Sequence, residues 1–178
     1  GIYDVRIERV AGNLTDHYDP RNKVLRLSDA TYGQCSVAAV GVAAHECGHA
    51  IQHARGYAPL QFRSALVPVA NFGSMIAWPL IVLGLFINSQ SSALLINIGI
   101  LAFSLAVLFQ LVTLPVEYNA SGRAVRILAE TGMMQGEEIV ATKKVLNAAA
   151  LTYVASAAAA ILQLVRILIL TGGRRRDD

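Results

Sequence analysis

The fold is decided by residues 64–116, which read SALVPVANFGSMIAWPLIVLGLFINSQSSALLINIGILAFSLAVLFQLVTLPV. None of the 15 basic and 12 acidic residues of this 178-residue chain falls in that stretch, nor does any of its four histidines. It is too long for one buried core helix and long enough to cross a bilayer twice, since one crossing takes about 20 apolar residues. The chain is 54% hydrophobic and only 15% charged, whereas an ordinary soluble domain carries about 25% charge. This composition predicts a membrane protein and excludes disordered, collagen-like and disulfide-stapled classes.

Three segments are candidate transmembrane helices. Residues 66–87 and 93–116 form a predicted helical hairpin, joined by a polar break at residues 88–92. Residues 145–165 are uncharged and form the third candidate, which is followed by the basic cluster Arg174-Arg175-Arg176. The net charge of +3 does not indicate nucleic acid, because the basic residues flank apolar segments, where they orient membrane proteins.

These spans divide the chain into four predicted segments. They are a strand hairpin and helix at 1–63, a transmembrane hairpin at 64–116, a helical segment at 117–144, and a third transmembrane helix with a basic tail at 145–178. The first and third segments share one face of the membrane, and six basic residues near span ends favour the cytoplasm for it. They are Arg55, Arg63, Arg123, Arg126, Lys143 and Lys144. Because the chain begins at Gly1 without an initiating Met, we expect it to be a piece of a longer protein.

A small strand hairpin is predicted near the start of the chain. Asp19-Pro20-Arg21-Asn22 is a turn signal, and Val24-Leu25-Arg26-Leu27-Ser28 alternates with the period of a strand. Residues 13–18 supply its partner. The hairpin either only covers the core or faces a substrate, in which case the strand at 24–28 could pair with an extended peptide.

Residues 37–55 form a predicted helix, with Ser36 as its N-cap and Gly56 as its stop signal. The helix contains His45-Glu46-Cys47-Gly48-His49, which fits the H-E-x-x-H pattern. Residues i and i+4 stack on one face about 6 Å apart, so the imidazoles of His45 and His49 can converge on one ion. Glu46 emerges about 100° further round, where it can take a proton from a metal-bound water. The alternative is a chance match on an ordinary helix.

Catalytic zinc needs a third protein ligand and an open fourth position. Glu117 is the strongest candidate, because it is the first charged residue after the uncharged stretch and its desolvation would be costly without a partner. A helical hairpin would return it to the face that carries His45 and His49. Glu117 could instead be hydrated among lipid headgroups. His17 is a further candidate that no spacing rule places, and His53 is expected to pack or hydrogen-bond, because three ligands along one straight helix cannot reach one ion.

Four stretches of this chain resemble the YugP-type family of bacterial membrane zinc metallopeptidases. They are LTDHYDPR at 14–21, HECGHAIQ at 45–52, LPVEYNAS at 114–121 and KVLNAAALTY at 144–153. The resemblance covers nearly the whole chain and implies a Zn²⁺-dependent endopeptidase of the bacterial inner membrane, with a further N-terminal span. More distantly, a spanning hairpin between HExxH and a later Glu is similar to the HtpX and CAAX prenyl protease group.

One position departs from that wider group. Its members carry an acidic residue four positions after the ligand Glu, where it hydrogen-bonds a ligand histidine, and this chain has Ser121 there. Either the hydroxyl of Ser121 makes a weaker contact, or Asn119 or Arg123 has taken a supporting or transition-state role. Arg123 could alternatively be a solvated residue that pairs with Glu130 or a headgroup.

We therefore predict a mainly α membrane protein with a zincin-like HExxH helix, a small β-hairpin and about three transmembrane helices. Its predicted activity is that of a gluzincin-like zinc metalloendopeptidase acting on protein or peptide substrates near the membrane surface. His45, His49 and Glu117 would hold zinc and Glu46 would act as general base. Intramembrane proteolysis is disfavoured, because the charged 37–55 helix precedes the uncharged stretch.

The alternative function is a non-catalytic, zinc-stabilised membrane scaffold that recruits another protein. A base at Glu46 speaks against it, since a structural zinc site would prefer four closed protein ligands. The expected surroundings are the lipid bilayer, with no nucleic acid, and a membrane-protein partner or a homo-oligomer is compatible with the sequence.

Overall fold

The computed structural model describes residues 1–87 and 91–172. It contains three short strands followed by four helices. They are β1 (Arg6–Val10), β2 (His17–Asp19), β3 (Val24–Ser28), α1 (Val37–Ala54), α2 (Ala58–Phe86), α3 (Ser92–Glu130) and α4 (Glu137–Gly172). The expectation of a mainly helical chain with a small sheet is confirmed. Residues 88–90 of the predicted polar break and the basic cluster at 174–176 lie outside the described residues.

The three strands form one sheet in the order β1-β3-β2. β2 and β3 pair antiparallel, with Tyr18 opposite Leu25, which confirms the predicted hairpin. The partner strand is His17–Asp19 and not the predicted 13–18. The Asp19 carboxylate accepts hydrogen bonds from the backbone N–H groups of Arg21 and Asn22 and so holds the turn. β1, which the sequence analysis missed, pairs parallel to the other edge of β3. Pairing of β3 with a substrate, one of the two roles considered for the hairpin, is therefore wrong, because both edges of this strand are occupied.

Helix α1 begins and ends where its sequence predicts. The hydroxyl of Ser36 accepts a hydrogen bond from the backbone N–H of Ala39 at 3.2 Å, which satisfies a donor that the first turn leaves free. The helix ends at Arg55, and Gly56 follows with a φ of +60°. Glycine adopts this left-handed conformation without steric cost, so it stops the helix cleanly.

Helices α2, α3 and α4 are long and apolar enough to cross a membrane. Pro68 and Pro79 lie inside α2 and Pro115 inside α3 without ending either helix. α3 also runs without interruption past residue 116 to Glu130. The helical segment predicted at 117–144 is thus the end of α3 and the start of α4. The change in polarity at Glu117 does not end the helix, because backbone hydrogen bonding continues irrespective of side-chain polarity.

The chain forms two compact units, and the four helices are shared between them. The first unit comprises residues 1–61 and 115–152 and contains the sheet, α1 and the adjoining parts of α3 and α4. Its buried apolar cluster consists of Ala44, Ala124, Leu128, Met134 and Leu146. The four sequence segments proposed above remain a prediction about organisation.

The second unit comprises residues 62–114 and the chain from Tyr153 onward. In it, α2 and α3 approach closely at small residues. A Cβ added to Gly73 would lie 2.7 Å from the carbonyl oxygen of Ala102, and one added to Gly99 would lie 2.9 Å from that of Ala77. Large side chains such as Phe72, Leu83 and Leu101 are exposed instead, which is the distribution expected of helices that contact lipid.

The first unit has an equally close helix contact between α1 and α3. A Cβ added to Gly48 would lie 2.5 Å from the backbone carbonyl oxygen of Ala120. That oxygen belongs to the helix backbone and cannot rotate away as a flexible side chain could. The two helices can therefore be this close only because residue 48 has no side chain.

We predict that Gly48→Ala destabilises the protein. Overpacking at such a contact costs about 1–3 kcal/mol, which outweighs the roughly 1 kcal/mol that alanine gains over glycine in a helix. Gly122→Ala is the matched control, because a Cβ there meets nothing within 4 Å and only the helix propensity improves. Thermal unfolding in one detergent should show a lower melting temperature for Gly48→Ala and an equal or higher one for Gly122→Ala. An unchanged melting temperature for Gly48→Ala would contradict the close contact.

Candidate metal centre

Two helices of the first unit bring three potential metal ligands together. His45 and His49 lie one turn apart on α1, and Glu117 faces them from α3. The distances from Glu117 Oε2 are 3.2 Å to His45 Nε2 and 3.6 Å to His49 Nε2. One ligand atom from each residue lies within 4.8 Å of the other two. The predicted trio therefore meets in space, although 68 residues separate His49 from Glu117.

The donor set fits a tetrahedral ion such as zinc. Nitrogen and oxygen ligands at about 2.0–2.1 Å from zinc are separated from one another by about 3.3 Å in a tetrahedron. The two distances from Glu117 lie close to that value. Two imidazoles and one carboxylate are also the protein ligands of one common class of catalytic zinc site, in which the fourth position takes water or substrate.

Each imidazole has a partner on the nitrogen that points away from the carboxylate. His45 Nδ1 lies 3.1 Å from Ser121 Oγ, and His49 Nδ1 lies 3.0 Å from Gln52 Oε1. If Nε2 directs its lone pair at an ion, Nδ1 carries the proton and donates it to these oxygens. The Gln52 oxygen can only accept, so it fixes the tautomer of His49, and the two contacts together orient both rings.

Gln52 also connects α1 to α3. Its side chain is fully buried, and its Nε2 donates to the backbone oxygen of Val116 at 2.8 Å and to Asn119 Oδ1 at 3.0 Å. Asn119 Oδ1 also accepts a hydrogen bond from Arg123 Nε at 2.7 Å. A continuous set of hydrogen bonds therefore links Arg123 to His49 and holds the backbone next to Glu117.

Glu46 lies beside this trio and is itself buried, with 8% of its surface exposed. Burial raises the pKa of its carboxyl above the ordinary value, while the His49 and His45 imidazoles and the backbone N–H of Tyr18 act in the opposite direction. A carboxyl group with a raised pKa holds an abstracted proton more readily than an exposed one does. This environment suits a general base.

The remaining predicted residues differ in their placement. Ser121 and Asn119 join the network described above, and Arg123 lies 5.9 Å from the centre of the Tyr57 ring. Arg123 makes no ion pair with Glu130 or any other described carboxylate, so pairing with Glu130 is not observed, and contact with a headgroup stays a prediction. His17 is not brought to the trio, since it is exposed and its Nδ1 bonds to the backbone oxygen of Thr15. His53 bonds to the Tyr18 hydroxyl at 2.9 Å, as expected for a hydrogen-bonding residue.

The sequence analysis missed the role of Gln52. This residue lies three positions after His49, so a helix places both side chains on one face. A glutamine can accept a hydrogen bond from a ring nitrogen and donate two others, which no aliphatic residue at that position could do. Its spacing from His49 was therefore the available signal.

Comparison with known proteins identifies the family to which this chain belongs. The family described as "Putative neutral zinc metallopeptidase" matches residues 1–172. The chain belongs to this family of zinc metallopeptidases, as the sequence resemblance implied. One relative is the "Putative membrane protease YugP" of Bacillus subtilis (strain 168), which is 47% identical over 175 residues. The alignment covers 98% of this chain and 76% of that relative. No solved structure matches the chain.

We predict that Gln52→Leu lowers the affinity for zinc by about 10–100-fold, because the His49 ring loses the partner that orients it. Gln52→Glu keeps an acceptor for His49 Nδ1 and should retain more affinity than Gln52→Leu. The matched control is Gln34→Leu, which alters an exposed glutamine. Competition with a chromogenic chelator measures the affinity. Equal zinc affinity in Gln52→Leu and the unaltered protein would show that Gln52 does not position His49.

Proposed function

We propose that this chain is a zinc-dependent, gluzincin-like endopeptidase that hydrolyses protein or peptide substrates near a membrane surface. The observation that carries the proposal is the meeting of His45, His49 and Glu117, with all three ligand atoms within 4.8 Å of one another. Family membership supports zinc-peptidase chemistry at a general level. The buried carboxyl group of Glu46 beside the trio gives the site a base, which a purely structural zinc site does not need.

In this mechanism, the chain holds the ion and moves one proton. Zinc at this site would polarise the scissile carbonyl and lower the pKa of its water to about 7. Glu46 accepts the proton from the attacking water and then delivers it to the leaving amine. Ser121 and Gln52 keep the two imidazoles in the orientation that leaves both Nε2 atoms free for the ion.

We propose that an extended substrate binds along β2, since β3 has no free edge. β2 lies at the edge of the sheet, and the backbone N–H of its central residue, Tyr18, acts to lower the pKa of the Glu46 carboxyl. This strand therefore runs beside the candidate base. Main-chain pairing at such an edge provides affinity without strict sequence preference.

We place the site at the membrane surface. The candidate spans are α2, α3 and α4, whereas both histidine ligands lie on α1. The excess of basic residues near the span ends of this face favours the cytoplasmic side, and the family resemblance favours the bacterial inner membrane. A membrane-protein partner or a homo-oligomer stays a prediction from the sequence.

We predict that Glu46→Gln lowers the rate of peptide cleavage by about 10²–10⁴-fold, because the base is lost while the metal ligands remain. Zinc content should be unchanged. The measurement is cleavage of an unstructured protein substrate in detergent, paired with metal analysis of the same sample. Cleavage at the original rate would exclude Glu46 as the base.

Unlike Glu46→Gln, the removal of a metal ligand should lower the zinc content. We predict that His45→Ala and Glu117→Ala reduce bound zinc from about one ion per chain to a small fraction, since two remaining ligands hold zinc poorly. His53→Ala is the control, because His53 is on the same helix but bonds to Tyr18. A chelator should abolish cleavage by the unaltered protein, and added zinc should restore it.

These variants also distinguish the endopeptidase from the scaffold. A scaffold would lose its function with the zinc ligands and would be indifferent to Glu46→Gln. Cellular function that survives Glu46→Gln but not His45→Ala would favour the scaffold over the enzyme.

A further inference from the structure

A groove between α3 and α4 borders the candidate metal centre at Ser121, the partner of His45. Its volume is about 510 Å³, and its walls include Tyr118 and Arg126 from α3 and Lys143 and Asn147 from α4. The apolar side chains of Val125 and Leu146 line it as well. We call it the Arg126–Lys143 groove. Its size is that of an ordinary ligand pocket, and the proposed peptidase mechanism assigns it no role.

The groove carries two cationic side chains, Arg126 and Lys143. Arg126 and Lys143 are both exposed, and neither makes an ion pair with any carboxylate in the described part of the chain. None of the residues that line the groove is acidic. Two free cations in one concave site attract an anion, and a guanidinium group is well matched to phosphate oxygens.

Two residues of the groove lie close in sequence to the ends of uncharged stretches, where a bilayer would have its headgroups. Tyr118 lies two residues beyond the uncharged stretch of α3, and Lys143 lies two residues before that of α4. At 1.5 Å per residue, each lies about 3 Å from an apolar segment. Arg126 lies about 15 Å beyond the uncharged stretch of α3, and its long side chain leans back towards that stretch, which is on the N-terminal side. Tyrosine is enriched at this depth in membrane proteins.

An apolar surface continues from the groove towards the membrane. Leu151 lies one turn beyond Asn147 on α4 and is 59% exposed. An acyl chain attached to a bound phosphate could lie along this surface. A free phosphate would gain nothing from it, so the combination of cations and exposed apolar side chains fits a lipid.

We propose that the Arg126–Lys143 groove binds the headgroup of an anionic phospholipid, with the phosphodiester held by Arg126 and Lys143. The proposal does not rest on the proposed peptidase activity and can be tested in protein that cleaves nothing. Basic pockets between transmembrane helices are physically suited to such headgroups, because each Lys or Arg near the surface adds to the attraction.

The experiment measures how lipids shift the melting temperature of the full chain in a neutral detergent. A ligand that binds only the folded protein raises this temperature in a concentration-dependent way. Phosphatidylglycerol should raise it, whereas phosphatidylcholine, with no net charge, and inorganic phosphate should not. In Arg126→Gln/Lys143→Gln, the phosphatidylglycerol concentration for a half-maximal shift should rise by about 30-fold.

The control Arg21→Gln/Lys144→Gln removes the same charge from two exposed residues outside the groove. It should respond like the unaltered protein. If the double variant of the groove fails to fold, Lys143→Gln alone should raise the half-maximal concentration by about fivefold.

Four outcomes would overturn the proposal. Equal weakening in the control would mean that the lipid senses only net charge. An equal shift with inorganic phosphate would make the groove a small-anion site. The absence of any shift with phosphatidylglycerol would exclude the lipid. A shift produced only by an acidic peptide would also exclude the lipid and would indicate a substrate pocket.

Discussion

The candidate metal centre depends on the close approach of α1 to α3 at Gly48. This residue lies between the two histidine ligands on α1, and its contact, Ala120, lies between Glu117 and Ser121 on α3. A side chain at residue 48 would separate the two backbones and draw the carboxylate away from the imidazoles. The absence of a side chain at residue 48 thus allows α1 and α3 to lie close enough for the three ligands to share one ion. Gln52 adds a hydrogen bond from α1 to the backbone of α3 at Val116, which also holds the two helices at this separation.

The burial of two acidic groups determines which kind of ion this arrangement favours. Glu46 and Glu117 are both buried in one small region, and the transfer of a carboxylate from water costs several kcal/mol unless it is well partnered. Two neutral imidazoles cannot balance two negative charges. A divalent cation can, and it would turn an unfavourable concentration of charge into a neutral cluster. The geometry and the charge of the site therefore favour the same occupant.

The sequence predicted those features that depend on local or compositional signals. Ser36 and Gly56 bound α1 through capping chemistry, and the uncharged stretch indicated membrane helices through its length alone. Glu117 could be predicted because a charge at the end of such a stretch needs a partner. β1 was missed because its parallel pairing with β3 is non-local and leaves no turn signal. Gln52 was missed because a polar residue gives no sign of burial until its partners on another helix are known.

The neutral partners of the two imidazoles distinguish this site from one with a third carboxylate. Ser121 and Gln52 contact the Nδ1 atoms of the two rings through uncharged oxygens. With zinc bound, the charges of Glu46 and Glu117 would cancel that of the ion, and an acidic residue in place of Ser121 would leave an excess negative charge in a buried site. A carboxylate partner makes a ligand imidazole more basic, and a hydroxyl does so less. The ion would consequently keep more of its positive charge and act more strongly on its water. Compared with an acidic residue, Ser121 therefore makes a weaker contact with the His45 ring, but it leaves the site electrically neutral and the ion more polarising.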